Sequence, residues 1–137
     1  MKRNDAEILR AYGIQPSAQR VAIAAYVLHT GDHPSADEVW ERVRARFPMV
    51  SRATVYNTLN LFVRKGLLRE FVLVEDRVVF DPNVGRHHHF IDERTGTIHD
   101  VPWEALEVSR VDRLRQYRVD EYQVVMRGTS KSRKGRG

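Results

Sequence analysis

Read for hydrophobic periodicity, the chain changes from helical to strand patterning after Gly66. Before it, four stretches carry helical patterning with start and stop signals. "NDAEILRAY" opens on a capping Asn4 and stops at Gly13, and "SAQRVAIAAYVLHT" follows Pro16 and closes at Gly31. "SADEVWERVRARF" opens on Ser35 with Glu38 three residues later, the capping-box arrangement, and Pro48 ends it. "SRATVYNTLNLFVRK" opens on Ser51 and terminates at Gly66. After Gly66, "LLREFVLV" and "RVVFD" are rich in β-branched and aromatic residues and are separated by the charged pair "ED", which predicts a β-hairpin.

"DPNVGR" is turn-rich and is the expected hinge. Beyond it "HHHFID" and "TIHDV" read as strands flanking the turn "ERTG". "PWEALEVSRVDRLRQ" reads as a helix with Pro102 in its first turn, and "VDEYQVVMRG" reads as a closing strand. The predicted fold class is α+β: an N-terminal winged-helix DNA-binding domain over 1–82, a hinge at 83–86, a small α/β dimerisation domain over 87–128 and a basic disordered tail over 129–137. Three helices followed by a two-stranded hairpin is the winged-helix order. A lobe of about 50 residues buries little surface alone, so a homodimer through this half is expected.

Composition narrows the function classes. The chain has 137 residues, 42% of them hydrophobic, enough for a packed core. No run approaches the roughly 18 to 20 apolar residues that span a membrane, and no apolar segment follows the charged N-terminus. A cytoplasmic protein with no membrane partner is expected. There is no cysteine, which removes disulfides, thiolate catalysis and Cys-based zinc sites, so any metal must be held by nitrogen and oxygen. The net charge of +5 points towards a polyanion, although five Lys or Arg fall among the last eleven residues and the body is near neutral without them.

Two constellations carry chemistry. In the fourth helical stretch Val55, Leu59, Phe62 and Val63 form an apolar face, and Ala53, Tyr56, Asn57, Asn60 and Arg64 fall opposite. That second face suits the DNA major groove, where amides and Arg read base edges, while Ser51 and Thr54 at the helix start could hold phosphate. An ordinary amphipathic helix with a solvated face is the alternative. The second constellation is "HHHFID". Alternation in a strand puts His87 and His89 on one face and His88 on the other. Asp100 lies across the "ERTG" turn, Asp81 ends the hairpin, and His33 sits in the loop "GDHPSADE". Together they would make a three-nitrogen, two-oxygen shell suited to Fe2+, Mn2+, Co2+ or Zn2+ rather than Ca2+ or Mg2+. The alternative is a polar edge strand with exposed histidines, the reading expected of His29 and His99.

"HPSADEVW", "SRATVYNTLNLFVRKGLL" and "HHHFID…GTIHDV" resemble the ferric uptake regulator family of metal-dependent repressors, over about residues 5 to 128. Within it the chain is most similar to peroxide-sensing repressors. The resemblance implies a winged-helix domain and an α/β dimerisation domain, bridged by a regulatory divalent metal on His33, Asp81, His87, His89 and Asp100. It implies that Fe2+ or Mn2+ (Zn2+ in vitro) closes the homodimer for double-stranded operator DNA, with Tyr56 on the recognition helix and Arg52 and Asn57 beside it. Asp100, where iron sensors tend to have Glu, fits the peroxide-sensing branch. There Fe2+ would cleave hydrogen peroxide and oxidise His33 or His87, ejecting the metal and releasing DNA.

The chain departs from the family pattern twice. The family's structural zinc is commonly held by two Cys-x-x-Cys pairs, but Asp92 and Thr95 occupy the first pair's positions and that zinc is not expected. An accessory metal site could use His88 and Glu107, but Arg86 and the residues after Gly128 do not complete it. The expectation is therefore a non-enzymatic, peroxide-responsive repressor. The alternatives are an iron- or manganese-responsive regulator without peroxide sensing, a small non-haem iron enzyme built on His87, His89 and a carboxylate, and a metal-free winged-helix protein.

Overall fold

A computed structural model describes residues 3–74 and 77–131, and the backbone divides into two compact units, Met1–Val84 and Gly85–Gly137. The first unit contains α1 (Asp5–Ala11), α2 (Ala18–Val27), α3 (Ala36–Arg44) and α4 (Arg52–Arg64), then the antiparallel hairpin of β1 (Arg69–Val74) and β2 (Arg77–Asp81). The helix starts are chemically explicit. Asn4 and Glu7 form a capping box on α1, and Ser35 and Glu38 form one on α3. The hydroxyls of Ser17 and Ser51 cap α2 and α4 by accepting the N–H of Arg20 and Thr54.

Leu9, Ile23, Val27, Val39, Val55, Leu59 and Phe62 are fully enclosed and knit the helices into one core, which Phe80 of β2 joins. Each such side chain stabilises the unit by roughly 1.5–3 kcal/mol relative to exposure. The core face of α4 holds Val55, Leu59 and Phe62 as the periodicity predicts, with Thr58 added and Val63 only half-buried.

The second unit is a three-stranded sheet in the order β4-β3-β5, made of β3 (His87–Asp92), β4 (Ile98–Pro102) and β5 (Val125–Gly128). β4 runs antiparallel to β3 after the predicted turn, and β5 runs parallel to it. The closing strand is four residues long, shorter than the "VDEYQVVMRG" segment suggests.

One expectation is corrected. The stretch from Pro102 to Gln116 is not an α-helix; it holds only 3-10 turns at Trp103–Ala105 and Val111–Arg113. Neither turn has a side-chain cap, and Arg110 between them adopts a left-handed φ of 71° that no α-helix accommodates. Val108 and Leu114 stay exposed, so the tertiary packing that supplies most helix stability is absent. The tail expected at 129–137 falls at 132–137 outside the described residues.

Candidate functional site

β3 is the central strand of its sheet, and His87, His88 and His89 are 4%, 1% and 0% exposed. The edge-strand alternative therefore does not hold. His87 and His89 share a face, their ring centroids 4.6 Å apart at an interplanar angle of 69°. The register sets Asp100 directly opposite His89, and one oxygen of Asp100 (Oδ1) lies 3.5 Å from Nε2 of His87 and 3.4 Å from Nε2 of His89.

The other ring nitrogens decide what those Nε2 atoms are. Nδ1 of His87 lies 2.7 Å from the carbonyl oxygen of Gly85, which can only accept, so Nδ1 carries the hydrogen. Nδ1 of His89 lies 2.6 Å from the side-chain oxygen of Gln123 and donates to it. Nε2 of both rings is thereby directed towards the same carboxylate. This is the outer-shell arrangement that orients ligating histidines. Where Nε2 carries no hydrogen, its lone pair and a carboxylate oxygen repel one another unless a cation joins them, so the donor set suits a cation.

His88 points to the other face. Its ring stacks on Trp103 with centroids 4.6 Å apart at 16°, and its Nδ1 accepts the N–H of Val124. The guanidinium of Arg86 lies 4.0 Å above the same indole. Arg86 and His88 are thus both engaged on Trp103, and Glu107 is exposed.

In the first unit, Nε2 of His33 lies 3.1 Å from Oδ2 of Asp81, both residues buried. The loop is fixed by the N–H of Phe80, which donates to the carbonyl of Pro34 at 2.9 Å, so the residue before Pro34 is carried to the end of β2. His33 has φ of 52°, a left-handed conformation that costs an L-residue roughly 1–2 kcal/mol. Backbone strain of this kind concentrates where function requires a particular side-chain position. The other oxygen of Asp81 accepts the N–H of Asn83, which fixes the carboxylate. His29, by contrast, is an exposed partner of Asp5 at 2.7 Å, and His99 is exposed.

The outer face of α4 presents Arg52, Ala53, Tyr56, Asn57, Asn60 and Arg64, all exposed and none acidic. The Ser51 hydroxyl is occupied with the cap and with Thr54 Oγ1 at 3.0 Å. Tyr56, 46% exposed, and Arg52 both reach Asp37 of α3, their OH and Nη1 each 3.3 Å from its Oδ1. Residues that the sequence does not single out are Gln123, the Gly85 carbonyl, Trp103 and Asp37. A backbone carbonyl leaves no trace in a sequence, and Gln123 is 34 positions from the ring it orients.

Among the described residues no helix is long and apolar enough to cross a membrane. A peroxide-responsive repressor, PerR, of Staphylococcus aureus is 36% identical over 112 residues, 82% of this chain and 74% of that protein. The ferric uptake regulator of Pseudomonas aeruginosa, solved with manganese, superposes with a TM-score of 0.66 at 22% identity over 95% of this chain and 100% of that one. The peroxide stress regulator of Campylobacter jejuni gives a TM-score of 0.65 at 20% identity over 92% of this chain and 93% of that one. Residues 11–127 match the ferric uptake regulator family as a whole, and the chain belongs to that family.

Proposed function

We propose that this chain is a metal-responsive transcriptional repressor of the peroxide-sensing kind, acting in the cytoplasm as a homodimer on double-stranded DNA. The observation that carries the reading is the fixed orientation of the His87 and His89 rings, each Nδ1 hydrogen-bonded and each Nε2 directed at Asp100. The pairing of His33 with Asp81 supplies a second set of donors of the same chemistry. We assign all five residues to one divalent cation, Fe2+ or Mn2+ in the cell with Zn2+ competing in vitro, because three imidazoles and two carboxylates match borderline ions. No cysteine exists for a structural zinc.

In this reading the residues act as follows. Gly85 and Gln123 hold the rings of His87 and His89 so that neither has to reorient on ligation. Asp81 and Asp100 supply the negative charge that neutralises a divalent ion. Held by these five residues, a divalent ion would restrict the segment 83–86 and would shift the population towards the DNA-competent dimer. Val108, Leu114, Tyr117 and Val119 are exposed apolar side chains in the second unit and supply surface for the partner copy. Arg52, Tyr56, Asn57, Asn60 and Arg64 face the major groove, with Ser51 and Thr54 at the helix start near phosphate. Fe2+, when bound, supplies an electron that reduces hydrogen peroxide. The imidazoles of His33 and His87 are the nearby oxidisable groups, and an oxidised ring no longer offers the same lone pair. The same two histidines and carboxylate would suit a non-haem iron enzyme, but an exposed face of α4 with no acidic residue of its own, in a four-helix-and-hairpin unit, favours the regulator.

The test is duplex binding by apo-protein titrated with Fe2+, Mn2+ or Zn2+, using duplexes selected from a random library, with and without hydrogen peroxide. Fe2+ and Mn2+ should each induce binding, and peroxide should release only the Fe2+ form. A peroxide-insensitive Fe2+ form would leave a metal regulator without peroxide sensing, and binding that ignores metal would overturn the reading. Tyr56→Ala or Arg64→Ala should weaken binding by about 1–3 kcal/mol while metal uptake survives.

A further inference from the structure

Asp37 occupies the second position of α3, 56% exposed, and its Oδ1 accepts from both Arg52 Nη1 and the Tyr56 hydroxyl at 3.3 Å. Arg52 is held from a second side, its guanidinium 4.4 Å over the ring of Trp40, and Trp40 is anchored by its Nε1–H donating to the Val50 carbonyl at 3.2 Å. Arg44 also lies over that ring, at 4.3 Å. An acidic side chain therefore sits against the outer face of α4 and engages two of the groups assigned to DNA. That is an unfavourable place for a carboxylate if duplex affinity alone mattered, because phosphate contacts supply most sequence-independent binding.

Resting on the DNA-binding reading above, we infer that Asp37 is a specificity-determining residue whose carboxylate stands in for a phosphate and keeps Arg52 and Tyr56 aimed at base edges and away from the backbone of the duplex. A carboxylate and a phosphate present the same oxygen acceptors and the same sign of charge to a guanidinium and a phenol. On a non-cognate duplex, leaving Asp37 for a backbone phosphate only exchanges one anion for another, so the held Arg52 and Tyr56 add little affinity. On a cognate duplex, Arg52 and Tyr56 meet base edges while still held by Asp37, so that contact is not given up. Asp37 thus lowers affinity for non-cognate DNA more than for cognate DNA.

The experiment measures binding of the Mn2+-loaded full chain to a random-sequence duplex and to a duplex obtained by selection, across a salt series. Asp37→Ala and Asp37→Asn should each raise affinity for the random duplex by about three- to fivefold, the scale of exposed ion pairs, and raise it less for the selected duplex. The salt dependence on the random duplex should steepen by about one phosphate contact. In an Arg52→Ala/Tyr56→Phe background, Asp37→Asn should have no effect on either duplex. No rise in random-duplex affinity for either variant overturns the inference. A rise of equal size in the Arg52→Ala/Tyr56→Phe background overturns it too, since the charge would then act on DNA without those partners. If the wild-type protein with Mn2+ binds neither duplex, the DNA-binding reading itself fails, which is a different outcome from wild-type binding that Asp37 does not alter.

Discussion

The Nδ1 hydrogen of His87 is donated to the carbonyl oxygen of Gly85, two residues earlier, across 2.7 Å. The chain thereby uses its own backbone to fix which imidazole nitrogen is available. The ring is buried and cannot turn to solvent, so its Nε2 has a set direction towards Asp100. His89 achieves the same end through Gln123.

Gln123 is therefore expected to matter for metal affinity, although its contact is with Nδ1 of His89 and not with the nitrogen directed at Asp100. Gln123→Ala should weaken Mn2+ binding by about 10- to 100-fold, the usual cost of losing an outer-shell partner. Gln123→Glu, which keeps an acceptor oxygen, should retain tight binding. Calorimetric titration of apo-protein decides the matter, and equal affinities for wild type and Gln123→Ala would remove the orienting role.

Asp92 makes stability pH-dependent. Burial pushes its carboxyl up, but the N–H of Arg94, the Ser130 hydroxyl, the N–H of Thr95 and the charge of Arg94 outweigh that and hold it below its ordinary value. Its oxygens accept from Arg94 at 2.9 Å, Thr95 at 3.4 Å and Ser130 at 3.0 Å, tying the turn after β3 to the segment after β5. Because the folded value lies below the unfolded one, ionised Asp92 stabilises the fold above about pH 4, and that contribution is lost as pH falls through the folded value. Asp92→Asn should remove this part of the acid-side decline in the urea midpoint. Glu38 should go on titrating in both proteins: burial raises it, but the Ser35 N–H and Arg77 hold it low. Parallel midpoint curves from pH 7 to 3 would show that Asp92 contributes nothing.

Exposure of the Fe2+ form to hydrogen peroxide should add one oxygen, about 16 mass units, to a peptide carrying His33 or His87, with loss of duplex binding in step. The Mn2+ form should gain nothing. Equal oxidation of both forms, read by peptide mass spectrometry, would show that the iron is not the source.

Much of the fold and part of the site are legible in the amino-acid sequence. The caps at Ser35 and Ser51, the hairpin either side of "ED" and the shared face of His87 and His89 follow from local chemistry, and local chemistry is what a sequence states. The burial of Thr58 is not legible, because a hydroxyl on the edge of an apolar face reads equally well as solvated. The segment 102–116 carries helical patterning, but a helix is stabilised by what it packs on, and Val108 and Leu114 remain exposed. Gln123 is hidden for the opposite reason: its role comes from a strand pairing that brings residues 124 and 125 beside His89. The Asp37 contacts with Arg52 and Tyr56 likewise span 15 and 19 positions and join two helices whose sequences give no hint of one another.

Regulation as proposed requires that His33 and Asp81 serve the same cation as His87, His89 and Asp100. The direct measurement is Mn2+ stoichiometry and affinity, by calorimetry with electron paramagnetic resonance, on wild type, His33→Ala and His89→Ala. One tight Mn2+ per chain in the wild type, lost alike in both variants, is the predicted result. Undiminished affinity in His33→Ala, or two independent sites of which each variant removes one, would contradict it.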